Sequence, residues 1–193
     1  MTKFIVVRHG ETNYNRQEII QGWQQSELSS NGLEQAKSVA KDLPGTPDVI
    51  ISSDLLRCRQ TTEIISLDLP GVPIFYDWRF RERSFGNLEN QPSSSVDWDI
   101  FFAHEDIIPE NNVEPEQHLN ERLKLGIRST EMIGADTILL VTHGGIFNRF
   151  GALLSDDYQP RRYKNTDILV FDINYSDPIF TPADYPKWSF ADA

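Results

Sequence analysis

Arg8, His9 and Gly10 close an apolar run, Phe4-Ile5-Val6-Val7, and the same ending recurs where Thr137-Ile138-Leu139-Leu140-Val141 stops at Thr142-His143-Gly144-Gly145. Arginine can hold a phosphate bidentately, a neutral imidazole can attack it, and glycine lets the backbone come close. Arg57 falls in the first turns of an expected helix and Glu82 in a turn after an expected strand. Phosphoryl transfer calls for such a set: a nucleophile, cations matched to three equatorial oxygens, and an acid for the leaving group. Imidazole, with an ordinary pKa of about 6.5, is available uncharged near neutral pH. Glu82 must be protonated to act as the acid, and the charge of a bound phosphate favours that form.

Each residue also has an ordinary reading. A histidine after a strand is commonly a turn or core residue, an arginine on a helix a solvated charge, and a glutamate between Arg81 and Arg83 a surface ion pair. Cys58 reads as a buried thiol on the inner face of its helix. No His-x-His, His-x-x-x-His or Cys-x-x-Cys spacing occurs, so neither a metal nor another cofactor is expected. His104 and His118 receive no role.

The elements that would position these residues alternate. Residues 3–7 read as a buried strand, followed by a polar loop from Thr12 to Gln25. A helix starts with Ser29 or Ser30 as its N-cap and ends at Pro44-Gly45. Val49-Ile50-Ile51 is a second strand, and Ser52-Ser53-Asp54 caps a helix that runs to about Ser66. A strand at 73–76, an irregular excursion at 87–113 with a short helix near 97–104, and a helix from Glu114 to about Ile133 follow. The strand at 137–141, a helix from Ile146 to Leu154, and a last strand from Asp167 to Ile173 complete the order. This alternation implies an α/β fold, a three-layer α/β/α sandwich with a mostly parallel central sheet. Ligands in such folds bind beyond the carboxyl ends of the strands, where both His9 and His143 fall.

The chain of 193 residues is read as one domain, 1–193, with an acidic insertion or lid at about 87–113. No run is long and apolar enough to span a membrane, no signal peptide is evident, and a single cysteine suits a reducing compartment, so a cytoplasmic location is expected. The net charge of −11 argues against nucleic acid and against anionic membranes as partners. Between Arg83 and Arg122 there is no Lys or Arg but nine acidic residues, so the remaining chain carries only −2. The tail after Ile173, with Tyr175, Phe180, Tyr185, Trp188 and Phe190, is expected to pack along the body, a homodimer surface being the alternative.

At this point the residues resemble a family. Arg8-His9-Gly10-Glu11-Thr12 with Asn15 is similar to the signature of the histidine phosphatase superfamily, which includes cofactor-dependent phosphoglycerate mutases and fructose bisphosphatases. Gln21-Gly22-Trp23 and Leu28-Ser29, then Ser52-Ser53-Asp54-Leu55 with Arg57, then Glu82 with Gly86 and Glu89, and finally Thr142-His143-Gly144-Gly145 follow in the family's order. The resemblance implies a phosphohistidine mechanism without metal. His9 attacks phosphorus, Arg8, Arg57 and His143 hold the phosphoryl oxygens, and Glu82 protonates the leaving oxygen. Asn15, Gln21, Gly22 and Gly144 line the substrate side. The expected activity is that of a histidine acid phosphatase-type phosphoric monoester hydrolase, its ligand a small-molecule phosphate ester.

Three departures bear on the loops: Gln25 and Glu27 stand where many members carry Asp and Pro, and Asn90 where a Gly often follows the Glu. The excursion also lacks the basic residues with which the mutases hold a second acidic group. The nine acids between Arg83 and Arg122 would repel a substrate with further negative charge, at roughly 1 kcal/mol per close exposed pair. A phosphatase is therefore expected over a mutase, with a substrate whose remainder is neutral, apolar or cationic, and over a non-catalytic phospho-ligand-binding protein, because Arg8, His9, Arg57, Glu82 and His143 are all present. Trp98, Phe101 and Phe102 either contact such a group or pack a short helix onto the body. Arg161, Arg162 and Lys164 weaken the charge argument if they reach the pocket.

Overall fold

The computed structural model describes residues 1–103, 109–154, 158–159, 161–177 and 179. Among these residues five strands, β1 (Thr2–Arg8), β2 (Val49–Ser52), β3 (Ile74–Tyr76), β4 (Thr137–Thr142) and β5 (Ile168–Ile173), form one sheet in the order β3-β2-β4-β1-β5. The β1, β2, β3 and β4 pairings are parallel; β5 runs antiparallel to β1, with Val7 opposite Ile168.

Among the described residues, six α-helices accompany the sheet: α1 (Asn13–Arg16), α2 (Ser30–Lys41), α3 (Leu56–Ser66), α4 (Trp98–Ala103), α5 (Glu116–Thr130) and α6 (Gly144–Leu154). Phe4, Ile5, Val6 and Val7 are all buried, because both faces of β1 are covered. Alternate strand residues divide between two cores. Phe4, Val6, Ile51, Ile138 and Leu140 meet Leu123 and Ile127 of α5 and Phe147 and Phe150 of α6. Ile5, Val7, Ile50, Leu139 and Val141 meet Val39 of α2 and Cys58 and Ile65 of α3. The result is the three-layer sandwich with a mostly parallel sheet.

The local differences from the sequence reading have physical causes. The polar stretch after Thr12 contains α1, closed by a capping box between Thr12 and Asn15. Ser29 caps α2 through the Gly32 N–H as expected. The cap expected from Ser53 is not made. α3 starts at Leu56, behind Leu55, and the Leu56 N–H is satisfied instead by Gln25 Oε1 at 2.8 Å. Thus Gln25, a departure from the family pattern, does the capping. α6 begins at Gly144, two residues before the expected start, so Gly144 and Gly145 form its first turn. Asn90, another departure, has φ of 67°, in the left-handed region that asparagine tolerates better than most residues, and its Oδ1 accepts the Tyr14 hydroxyl at 2.9 Å.

In the excursion, Trp98 and Phe101 of α4 pack on Phe85, with ring centroids 5.7 and 5.8 Å away. Packing therefore accounts for these two rings. His104, the Phe102 side chain, and Phe180, Tyr185, Trp188 and Phe190 of the tail lie outside the described residues. Among the described residues, no helix is long and apolar enough to cross a membrane.

Candidate active site

β1 and β4 lie side by side with Arg8 opposite Thr142, so the residues that follow each strand emerge together at one sheet edge. His9 and His143 are buried there, with ring centroids 5.3 Å apart and planes at 61°. His9 Nδ1 lies 2.8 Å from the Gly10 carbonyl oxygen. A carbonyl only accepts, so the proton sits on Nδ1 and the lone pair is left on Nε2. Burial pushes the His9 pKa well below the ordinary histidine value, and the Arg57 and Arg8 charges push it further. The ring is neutral, the form a nucleophile requires.

Arg57 is not the solvated charge that its helix position suggests: it is 1% exposed. Nη2 donates to the Gly22 carbonyl at 2.8 Å, Nη1 to the Gln24 carbonyl at 3.0 Å, and Nε to His143 Nδ1 at 3.2 Å. None of these partners is a carboxylate, so the guanidinium charge is buried with neutral acceptors. Because Arg57 can only donate, His143 carries its own proton on Nε2, which is 2.9 Å from Ser53 Oγ. The His143 pKa is pushed well below its ordinary value, first by burial and then by the Arg57 charge.

Arg8 donates from Nη1 to the Tyr163 carbonyl, while its buried Nε has no hydrogen-bond partner among the described residues. Gly144 lies against this guanidinium, and a Cβ at Gly144 would come 3.3 Å from Arg8 Nε. Cys58 Sγ is 3.5 Å from His143 Nε2, and burial pushes its thiol up to about 12, so it stays a protonated core group.

Glu82 is held by backbone rather than by an ion pair. Its Oε1 accepts the Arg83 N–H at 2.9 Å and its Oε2 the Gly145 N–H at 3.0 Å. The flanking arginines turn away: Arg81 forms a bidentate pair with Asp54 at 2.7 and 2.6 Å, and Arg83 Nε donates to the Glu114 carbonyl at 2.7 Å. A Cβ at Gly145 would collide with the Glu82 carboxyl, so only glycine lets the acid and the start of α6 approach so closely.

The residues expected on the substrate side are mostly engaged in holding loops. Asn15 Oδ1 accepts the Thr12 N–H at 3.1 Å and Asn165 Nδ2 at 3.3 Å. Gln21 Oε1 lies 3.0 Å from Thr12 Oγ1. Gly22, at φ of 50°, gives its carbonyl to Arg57, and a Cβ there would collide with the Glu89 side chain.

Several residues with no role in the sequence reading hold this edge. Glu89 accepts the N–H groups of Trp23 and Phe85, each at 3.0 Å, and Gln24 Nε2 at 2.9 Å, tying the loop that feeds carbonyls to Arg57 to the loop that follows Glu82. Arg122 Nη1 donates to the carbonyls of Arg79 and Arg81 at 2.8 and 2.7 Å, and Nη2 to that of Glu82 at 2.8 Å. Its Nε and Nη2 reach the two Glu114 oxygens at 2.6 and 2.8 Å. Asn165 Nδ2 also donates to the His9 carbonyl at 3.1 Å. The family-pattern residue Glu89 could have been suspected from sequence; Arg122 and Asn165 have no local signal. No three His, Cys, Asp or Glu residues among those described are placed to share a metal ion.

Glu89 and Glu114 are largely buried rather than surface charges, one facing backbone and amide donors near the Arg57 charge and the other paired with Arg122, while Glu116 pairs with Arg149. Arg161, Arg162 and Lys164 meanwhile lie on the segment that Arg8 grips at Tyr163. An acidic excursion alone therefore does not exclude an acidic substrate.

A family model described as histidine phosphatase superfamily (branch 1) matches residues 4–180. The chain is 32% identical over 105 residues to the 2,3-bisphosphoglycerate-dependent phosphoglycerate mutase of Staphylococcus epidermidis, a match covering 51% of this chain and 46% of that protein. Its fold is similar to the crystal structure of a histidine-to-alanine variant of the phosphoserine phosphatase of Entamoeba histolytica in complex with phosphoserine. There the TM-score is 0.74 and the identity 28%, with 91% of this chain and 92% of that one covered. It is similar also to YhfR of Bacillus stearothermophilus, with a TM-score of 0.77 and 26% identity over 90% of this chain and 92% of that one. This chain belongs to the histidine phosphatase superfamily.

Proposed function

We propose that the protein is a metal-independent phosphomonoesterase that hydrolyses a small phosphorylated metabolite through a phosphohistidine on His9. The observation that carries this reading is a buried cation beside a buried neutral imidazole with its lone pair free: Arg57 has only neutral partners, and His9 presents Nε2 unprotonated. A guanidinium buried with no carboxylate hydrogen-bonded to it, only the Glu82 and Glu89 charges nearby, is costly, and an anion in the site offsets that cost.

In the first step His9 Nε2 forms a bond to phosphorus as the ester P–O bond breaks. Arg8 and Arg57 neutralise charge on the equatorial oxygens. His143 joins them by turning its Nε2–H from Ser53 toward an oxygen. Glu82, in protonated form, gives its proton to the departing alkoxide and so becomes a carboxylate. In the second step the carboxylate takes a proton from water, whose oxygen attacks phosphorus. The P–N bond breaks, inorganic phosphate leaves, and both His9 and Glu82 are restored.

Hydrolysis of p-nitrophenyl phosphate in EDTA tests the assignment. The wild type is expected to turn over, and His9→Ala to lose at least about 10³-fold; activity that persists in His9→Ala contradicts it. A mutase of the same chemistry is the second reading, favoured by the cations at Arg161, Arg162 and Lys164, which could retain an acidic product for a return transfer. Net conversion of 3-phosphoglycerate to its isomer faster than release of phosphate would select it.

A further inference from the structure

We propose that Arg162 and Lys164, in the cleft beside Arg8, bind a second anionic group of the substrate whose phosphate occupies the His9 site. The inference rests on the phosphate-site reading above and extends it to substrate class: a phosphomonoester that also bears a carboxylate or a second phosphate.

Placement comes first. Because β5 runs antiparallel to β1, the segment leading into it arrives at the edge where β1 ends. There it interlocks with the candidate active site. The Arg8 N–H donates to the Asp167 carbonyl at 3.1 Å and the Thr166 N–H to the Arg8 carbonyl at 3.2 Å. Arg8 Nη1 holds the Tyr163 carbonyl, and Asn165 Nδ2 reaches the His9 carbonyl at 3.1 Å. Consecutive Cα atoms are about 3.8 Å apart, so the side chains of Arg162 and Lys164 both start within one residue step of the peptide that Arg8 grips.

Charge comes second. A cleft of about 340 Å³ is lined by Arg161, Arg162, Tyr163, Lys164 and Asp167, with Ile168 and Leu169 at its apolar side. Three cations against one carboxylate leave a charge of +2, in a chain whose net charge is −11. Arg161 is committed, its guanidinium lying 4.8 Å above the Tyr163 ring. Asp167 Oδ2 accepts the Lys164 backbone N–H at 2.7 Å. Among the described residues, the Arg162 and Lys164 side chains form no ion pair, and both are exposed to the cleft and solvent. Burial lowers the Arg8 pKa and the nearby Arg162 charge lowers it further, against the opposing pull of Glu82 and Asp167. Like charges gathered beside Arg8 repel one another until an anion sits among them.

Calorimetric binding to the His9→Ala protein, which cannot turn over, tests this directly. Phosphoethanolamine differs from phosphoserine by lacking the carboxylate, and 2,3-bisphosphoglycerate asks about a second phosphate. Phosphoserine or 2,3-bisphosphoglycerate is expected to bind at least tenfold tighter than phosphoethanolamine, and whichever shows the larger advantage names the second anion. Adding R162Q and K164Q is expected to cut that advantage to within twofold. Both positions are exposed, and thermal melts report that the variants stay folded.

Equal affinity for all three ligands, or an advantage that survives R162Q/K164Q, overturns the inference. No binding of any ligand overturns it together with the phosphate reading. Selective binding lost in R162Q/K164Q, with no hydrolysis by the wild type, upholds the subsite and contradicts only the phosphatase assignment.

Discussion

A buried imidazole is a nucleophile only while it is unprotonated, and the same burial makes the fold sensitive to acid. His9 and His143 both have pKa values pushed below the ordinary value, first by burial and then by Arg57. Below about pH 6.5 the unfolded chain takes up protons at these positions that the folded chain refuses. Stability therefore falls on acidification, by up to about 1.4 kcal/mol per pH unit for each histidine, until the folded value is reached. Urea unfolding at neutral pH and near pH 5 should show this slope, and His9→Asn should reduce it by about one histidine's share. An unchanged slope contradicts the neutral buried ring. Glu82 gives a second prediction at this scale. Glu82→Gln should lower hydrolysis of alkyl phosphates by about 10²-fold or more. With p-nitrophenyl phosphate, whose leaving group needs no proton, the loss should be much smaller, and equal losses would remove the acid role.

Glu82 sits on irregular backbone, so its position depends on other elements. Arg122 on α5 donates to the carbonyls of Arg79, Arg81 and Glu82 while paired with Glu114, and Trp23 Nε1 also donates to the Glu82 carbonyl, at 2.8 Å. Arg122 is thus a positioning residue. Arg122→Met would leave the largely buried Glu114 carboxylate without its cation and with only the Ser84 N–H, at a cost of about 3–5 kcal/mol. The double variant Arg122→Met/Glu114→Gln should recover most of that stability but not the activity. Its deficit should fall on alkyl phosphates more than on p-nitrophenyl phosphate, because what loosens is the acid. A uniform loss across leaving groups would mean a merely structural role. Gly145→Ala should act similarly, by forcing the Glu82 carboxyl away from the start of α6.

The same elements show what could be read from sequence. Apolar runs ending at Arg8-His9 and Thr142-His143 announced both strands and their shared edge, since burial on two faces leaves continuous hydrophobic stretches. The bonds that hold the edge were not legible. Gln25 capping α3, Asn165 reaching the His9 carbonyl and Arg122 bracing three carbonyls join residues far apart in the chain, and a side-chain bond to a distant backbone group leaves no periodicity. The environment of Arg57 was hidden for the same reason, as its acceptors are carbonyls of a remote loop.

At the scale of the whole molecule, the sheet separates two cores, and β4 supplies both. Leu139 faces α2 and α3, and Leu140 faces α5 and α6; both are fully buried. Leu140→Ala should cost about 2–5 kcal/mol in chemical denaturation, with the folded fraction still active at low temperature. A cost below about 1 kcal/mol would show that the α5/α6 layer is not packed as described. The charge of the molecule is equally divided in its effect. The overall charge is −11, while the cleft beside Arg8 carries +2, the contrast on which the proposed second-anion subsite rests.

The central claim is attack by His9 on phosphorus, and trapping the phosphoenzyme tests it most directly. Wild-type protein quenched during turnover of a labelled phosphomonoester should carry phosphate that is acid-labile, base-stable and located on the peptide containing His9, and His9→Ala should carry none. Label that is acid-stable, that maps to another residue, or that persists in His9→Ala would contradict the account.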